Sequence, residues 1–430
     1  MSENLLLSMA VVIVTIGLLA TAQLPEYLTS LLFFAAAAIL RITPVDVIFS
    51  GFASAAFWLV LSGFVLGTAI HKVGLADRIA RALSGYFVGS WPRMVGGVVL
   101  LTYGLAFVMP SNMGRIALLM PIVMALADRA GIAQGSRGRC GLALAVGFGT
   151  FQLSASILPA NVPNLVMVGA AESAYDIHFD YISYLILHAP VLGVLKALVL
   201  MVCISFLFPA KPQRPVVASR EGPVTPAEWR LGAMLLVTLV LWTTDSLHGI
   251  APAWVGLAAA CICVLPRVGF LSGDEFAAGV NIRTCLYVAG ILGLAAVVSR
   301  TGLGIAVGDA LVSRLPLDPQ TPMTSFAWLV GLTSALSFVV TASAVPAVFT
   351  PLAGTLADSS GYSSTTVLMA QVIGYATPIL PYQAAPIVVA MGMGKVSPRD
   401  GVVLCLVIAL ATFVVLLPLS YLWFSFLGWR

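Results

Sequence analysis

Long apolar runs, cut at Pro, Gly and small clusters of charge, dominate the chain. They predict membrane-length helices, not the short alternating strands of a barrel. Uninterrupted spans are expected near 5–21, 24–41, 51–71, 182–208, 231–247, 252–270, 283–300 and 401–427. Two stretches, 94–130 and 324–361, each hold two apolar runs around a polar break. The first break reads Met109-Pro110-Ser111-Asn112-Met113-Gly114 and the second Val340-Thr341-Ala342-Ser343-Ala344-Val345-Pro346. Two more stretches read as spans interrupted in mid-course: 138–169 at Gly149 and at 158–164, and 363–393 at 377–383. Amphipathic stretches at 74–86 and 302–315 are expected to lie along the membrane surface.

The two halves of this pattern repeat. With a shift of 230, residues 111–131 fall over 341–361, and six of those 21 positions are identical: Ala117/Ala347, Pro121/Pro351, Leu126/Leu356, Ala127/Ala357, Asp128/Asp358 and Gly131/Gly361. With a shift of 222, Ile157-Leu158-Pro159 meets Ile379-Leu380-Pro381, and Asn161 meets Gln383. The expected organisation is a first repeat over 1–210 (helix hairpin 94–130, broken helix 138–169), a cytoplasmic linker at 211–230, and a second repeat over 231–430 (hairpin 324–361, broken helix 363–393).

Composition removes whole classes of function. Hydrophobic residues make up 60% of the 430 positions and charged residues 9%, with a mean hydropathy of +1.04. A soluble domain carries about 25% charged residues, so a soluble enzyme and a disordered chain are both excluded. The formal net charge of +4 comes from scattered single Lys and Arg residues, with no basic tract for nucleic acid. The six Cys sit in apolar text without metal-binding spacing and read as small apolar residues. The first apolar run lacks a basic leader and a small-residue cleavage site, and is expected to be a retained helix.

Charge also sets topology. If each hairpin enters and leaves on one side, every half has five spans, and an odd number inverts the second half relative to the first. With the 72–93 loop inside, fifteen Lys and Arg residues fall inside and four outside (Arg41, Arg300, Arg314 and Arg430), which follows the positive-inside rule. The same loop sides result if each hairpin is two full spans; the polar breaks in mid-hairpin favour re-entrance. The fold class expected is therefore an all-α polytopic protein, an inverted repeat of 5+5 transmembrane helices with two re-entrant hairpins and two broken helices.

Paired broken helices in inverted repeats point to a secondary transporter. Irregular backbone is tolerated in a bilayer only where protein buries it or water wets it, and half-helix N-termini bind anions. Arg115, four residues past Ser111 and matched by Val345 in the repeat, is costly at membrane depth, by at least about 2.5–3.5 kcal/mol. It grips an anion, replaces a cation, or pairs with carbonyls. Lys196 reads as an interior Lys bonded to backbone, or as a charge-compensating group. His188, Asp128 and Asp358 read as structural, and Ser154, Ser156 and Thr377 as back-bonders to their own helices. The breaks carry amides, hydroxyls and one Arg. They lack the paired Asp, Ser/His dyad or metal cluster of an intramembrane enzyme. An anion channel, or a transporter from another branch of the same superfamily, is the competing reading.

The Ser111-Asn112-Met113 tip, followed by Leu119-Met120-Pro121, resembles the Ser-Asn-Thr hairpin signature of the divalent anion:sodium symporter family within the ion transporter superfamily. The breaks 158–164 and 380–383 resemble that family's two unwound helices. The likeness runs in order along nearly the whole chain. It implies a homodimer in the lipid of a cell membrane, in bacteria the inner one, that moves a di- or tricarboxylate or sulfate by an elevator motion. It implies an anion site at Ser111, Asn112, Met113, Arg115, Thr341, Ala342 and Ser343, backed by Pro159, Asn161, Asn164, Pro381 and Gln383. Na+ as coupling ion would sit near Ser111, Asn112 and Gly149; no other cofactor is implied. This sequence departs from the pattern at its second tip, Thr341-Ala342-Ser343, which has no Asn, so a second sodium site is not expected. Coupling to H+ or exchange stays open.

Overall fold

The computed structural model describes residues 3–21, 23–75, 78, 90–109, 111–212, 223–301 and 314–429. The expected amphipathic stretches at 74–86 and 302–315, and the middle of the 211–230 linker, lie largely outside the described residues. The rest is helical, with no strand among the described residues.

In the first half the longer helices are α1 (Glu3–Thr21), α2 (Glu26–Ile39), α3 (Ala55–Val73), α4 (Trp91–Ala106), α5 (Asn112–Arg129), α6 (Arg137–Gln152), α7 (Val162–Tyr175) and α8 (Tyr181–Leu207). The second half brings α9 (Pro226–Thr243), α10 (Pro252–Val264), α11 (Ile282–Arg300), α12 (Pro322–Val339), α13 (Ser364–Tyr375), α14 (Ala385–Met393) and α15 (Pro398–Phe426). Short helices Val345–Phe349 and Ala353–Ser360, joined by a 3-10 turn at Pro351, follow α12. Among the described residues, five helices (α3, α8, α11, α12 and α15) are long and apolar enough to cross a membrane. Three shorter apolar segments accompany them: Leu6–Leu18, Glu26–Ile39 and Pro252–Val264.

Two boundaries differ from expectation for local reasons. The helix expected at 231 begins inside the linker, at Pro226. Thr225 caps it, with its side chain accepting from the Glu228 amide while Glu228 bonds back to the Thr225 amide, and Pro226 fills the first turn. The span expected from 51 begins at Ala55, capped by Ser54. A short helix, Ser50–Ala53, precedes it and presses Gly51 against the Ala289 backbone.

Both last helices contain a π-helical stretch, Ala189–Leu195 in α8 and Thr412–Leu416 in α15. In α8 the cause is Pro190, which has no N–H for the Ile186 carbonyl. The Trp423 indole donates to that carbonyl instead, at 3.0 Å.

Packing crosses between the halves in matched pairs. α3 lies on α10, and its counterpart α11 lies on α2. α14 packs on α5 and α6 of the first half, while α7 packs on Val345–Phe349 and α13 of the second. α6 and α13 are buried along almost their whole length, and each brings a Gly to the point where a neighbouring helix crosses closely. A Cβ on Gly149 of α6 would strike Thr102 of α4, and one on Gly374 of α13 would strike Thr333 of α12. The same close crossing is thus built twice.

Candidate functional site

Both breaks follow one backbone recipe. After α6, Ile157 is extended (φ −120°, ψ 115°), a 3-10 turn carries Pro159, and Asn161 is extended (φ −143°, ψ 134°) before α7 opens with Pro163 in its first turn. After α13, Leu380 is extended (φ −128°, ψ 146°), a 3-10 turn starts at Pro381, and Ala384 is extended (φ −129°, ψ 99°) before α14 opens with Pro386. The prolines explain part of this: none of the four has an N–H to donate, each sits in the first turn of its own 3-10 or α-helical segment where none is needed, and Pro381 holds its predecessor Leu380 extended. The backbone match pairs Ile157 with Leu380, one residue off the sequence match of Ile157 with Ile379.

The amides divide by role. Asn164 donates to the carbonyls of Ala155 (3.1 Å) and Ile157 (3.0 Å) and accepts from the Tyr375 hydroxyl (2.9 Å), so it mends the first break and ties it to the second half. Gln383 accepts from the amides of Ile379 (2.6 Å) and Leu380 (2.9 Å) and mends the second. Ser154, Ser156 and Thr377 donate to carbonyls one turn back.

Arg115 is fully buried and holds carbonyl oxygens. It donates to Met109 O at 2.9 Å, Thr150 O at 3.1 Å and Ala160 O at 3.2 Å, and to the Asn112 side-chain oxygen. Those acceptors come from the hairpin tip, the C-terminal turn of α6 and the unwound turn after it. Asn112 Oδ1 also accepts from Ser154 (3.2 Å), and Asn112 Nδ2 donates to Asn161 Oδ1 (2.9 Å). Lys196 makes a smaller arrangement at the other break, donating to Ala376 O (2.8 Å) and Thr377 Oγ1 (2.9 Å). Each broken helix therefore has a side-chain cation at the carbonyl end of its first half, where the helix dipole is negative.

These segments enclose a cavity of about 120 Å³. Of the residues expected at the site, Ser111, Asn112, Met113, Pro159, Asn161, Thr341 and Ser343 line it. The first residues of three helices reach it: Asn112 and Met113 of α5, Val162 of α7, and Ala385 and Pro386 of α14. The positive ends of these three helices therefore lie at the cavity, although Pro163 and Pro386 supply no amide and the Gly114 amide is taken by Ser111. Arg115, Ala342, Asn164, Pro381 and Gln383 stand outside the lining, and Gly149 faces Thr102. The opposite wall comes from α2, α3 and α11 through Glu26, Phe64, Thr284 and Tyr287. None of these four is a site residue by the sequence reading. Each sits in a regular helix, and no local signal marks which face meets the cavity.

Openings adjoin the cavity in two directions. One shares Phe64, Ser111 and Met113 with it and is lined by Thr68, His71, Asn281 and Arg283. The other shares Leu59 and Leu165 and is lined by Glu172, His178, Asp180 and Asp245. Near the first opening, Lys72 at the end of α3 pairs with Glu275 (2.6 Å). That bond and the Ser272 amide hold the Glu275 carboxyl at about 2, well below the usual carboxylate range. Asp128 closes its hairpin arm against Arg139.

A chain of apolar helices with a cavity between helix breaks is the form of a membrane transporter. The sequence matches the family described as the sodium:sulfate symporter transmembrane region over residues 1–430, so the chain belongs to that family: it is a multi-pass membrane transporter and not an enzyme. The L-tartrate/succinate antiporter of Escherichia coli (strain K12) is 26% identical over 403 residues, covering 87% of this chain and 79% of that one. The chloroplastic dicarboxylate transporter 2 of Spinacia oleracea is 27% identical over 290 residues, covering 62% of this chain and 49% of that one. The solved structure of the YdaH transporter of Alcanivorax borkumensis shares the fold, with a TM-score of 0.58 at 16% identity and 99% of both chains covered.

Proposed function

We propose that this protein is a secondary active transporter of small dicarboxylates in the bacterial inner membrane, with tricarboxylate and sulfate as further candidates. The observation that carries the reading is the convergence of three helix N-termini and the Thr341–Ser343 turn on one cavity. The names of the antiporter from Escherichia coli and the transporter from spinach favour dicarboxylate. The matched packing of the halves supports two inverted repeats of five spans, with α4/α5 and α12 with its two short partners as re-entrant hairpins. It also supports an elevator: α4 to α7 with their counterparts would move as one body against α2, α3, α10 and α11, in a homodimer.

Na+ does not fit the place expected for it. A sodium ion at Ser111, Asn112 and Gly149 would need the Asn112 side-chain oxygen and the carbonyls around it. Arg115 already holds Asn112 Oδ1, Met109 O, Thr150 O and Ala160 O. A guanidinium is permanently charged and presents several donors in a plane, so it can satisfy this carbonyl cage as a built-in cation. In this reading Arg115 supports the anion site from behind Asn112, and transport does not require Na+.

The test is counterflow of labelled succinate, citrate and sulfate in proteoliposomes, with and without Na+. Wild type is expected to exchange succinate at equal rates in Na+ and in choline. Arg115→Ala is expected to lose uptake in choline by tenfold or more. Uptake that requires Na+, or that survives Arg115→Ala unchanged, would overturn the built-in cation.

A further inference from the structure

Glu26 is out of place in an anion site. It opens the first turn of α2, is exposed, and is one of the residues that line the cavity holding the Ser111–Met113 tip. No cation pairs with it among the described residues. The other lining groups supply hydroxyls (Ser111, Thr284, Tyr287, Thr341, Ser343), amides and helix N-termini; none is Lys, Arg or His. Arg115 stands one layer back, behind Asn112, bonded to carbonyls. The charged and titratable groups on α2 and on the elements packed against it include Tyr27 on α2, Asp46 on the short helix Val45–Ile48, and Arg283, Cys285, Tyr287 and Arg300 on α11. Arg283 lies 5.6 Å above the Tyr27 ring and lines the neighbouring opening, not this cavity.

A fully ionised dicarboxylate would fit this wall badly. One carboxylate can sit on the helix N-termini with Arg115 behind them. The other must then share the cavity with Glu26, where two like charges face each other without a cation between them. A single proton resolves the conflict: a carboxylic acid donates to a carboxylate in a short O–H···O⁻ bond, among the stronger hydrogen bonds available.

We propose that the site takes its dicarboxylate together with one proton, held between Glu26 and the far carboxyl of the substrate. The inference rests on the dicarboxylate reading above and makes Glu26 a specificity-determining residue. No covalent bond changes. The proton is taken up with the substrate on one side and released with it on the other.

The test is initial uptake of labelled succinate into proteoliposomes of the full-length protein from pH 6 to 8, for wild type and Glu26→Gln. Sulfate, which stays doubly charged in that range, is the second substrate, and a pH-sensitive dye is trapped in the lumen. In wild type the KM for total succinate is expected to rise about tenfold per pH unit toward the alkaline end, as linkage to one proton requires. The lumen should acidify as succinate arrives, and sulfate should be excluded. In Glu26→Gln the amide replaces the shared proton as donor, so the KM flattens and sulfate enters. A wild type that takes up succinate with a pH-independent KM and no luminal acidification overturns the inference while leaving the transporter reading intact. A wild type that takes up none of these anions overturns both. If Glu26→Gln does not fold, luminal acidification and sulfate exclusion in the wild type decide the matter.

Discussion

Asn161 and Asn164 sit three residues apart in one break, yet the structure gives them different work. Asn161 lines the cavity and receives the Asn112 amide; Asn164 is sealed off and holds two broken-helix carbonyls and the Tyr375 hydroxyl. Removing a partner from buried polar groups costs about 1–3 kcal/mol, because the orphaned group keeps its full desolvation penalty. Asn164→Ala is therefore expected to lower the melting temperature of the purified protein while the succinate KM of the surviving fraction stays at the wild-type value. Asn161→Ala is expected to raise that KM severalfold. Thermal unfolding and uptake kinetics on the same preparations separate the two; a raised KM in Asn164→Ala with normal stability would place Asn164 in the anion site after all. The two buried cations follow the same logic of burial. Arg115 could be singled out from sequence as a lone charge in apolar text, but its acceptors could not, because they come from three separate segments.

At the scale of elements, the close crossings of α4 on α6 and of α12 on α13 are the points where one methyl group would be felt. Thr102 and Thr333 each donate to a carbonyl of their own helix, which fixes their side chains in the contact. Overpacking a tight interior costs about 1–3 kcal/mol. Gly149→Ala and Gly374→Ala are each expected to destabilise the detergent-solubilised protein by that amount. Thr102→Ala in the Gly149→Ala background should recover part of the loss, since the clash is chiefly with the hydroxyl. Equal melting temperatures for Gly149→Ala and wild type would mean the crossing is looser than described. These elements were largely legible in the sequence. Pro159, Pro163, Pro378 and Pro381 mark both breaks, because a proline inside an apolar run leaves few backbone choices. The tip of the first hairpin is marked by Ser111, which caps α5 by accepting from the Gly114 amide. The far wall of the cavity was not legible. Glu26 reads as a first-turn acid that suits the helix dipole, and Tyr287 as one more aromatic in an apolar helix. Only the packing of α2 on α11 brings both to the cavity.

For the whole molecule, the cavity lies between two sets of helices, which meet along a seam where α7 packs on α3 and α11. On one side of the seam α2 and α11 are locked by Gly290 against Ser30, and on the other α6 and α14 by Gly147 against Ala390. An alternating-access cycle by elevator motion requires the seam to slide while these locks hold. Ala56 of α3 and Gly169 of α7 face each other across it: a Cβ built on Gly169 would lie 3.3 Å from the Ala56 Cβ, close to the separation of about 3.5–4.5 Å that a disulfide spans. The double variant Ala56→Cys/Gly169→Cys, in a background whose six native cysteines are replaced and uptake retained, is expected to crosslink under mild oxidation. Uptake should fall to the level of empty liposomes once crosslinked and return when the bond is reduced, with the single-cysteine variants unaffected by oxidation. Full uptake by a quantitatively crosslinked protein would rule out movement of α7 past α3. The cavity would then have to exchange its anion by local opening of the two adjoining clefts, with both bodies at rest.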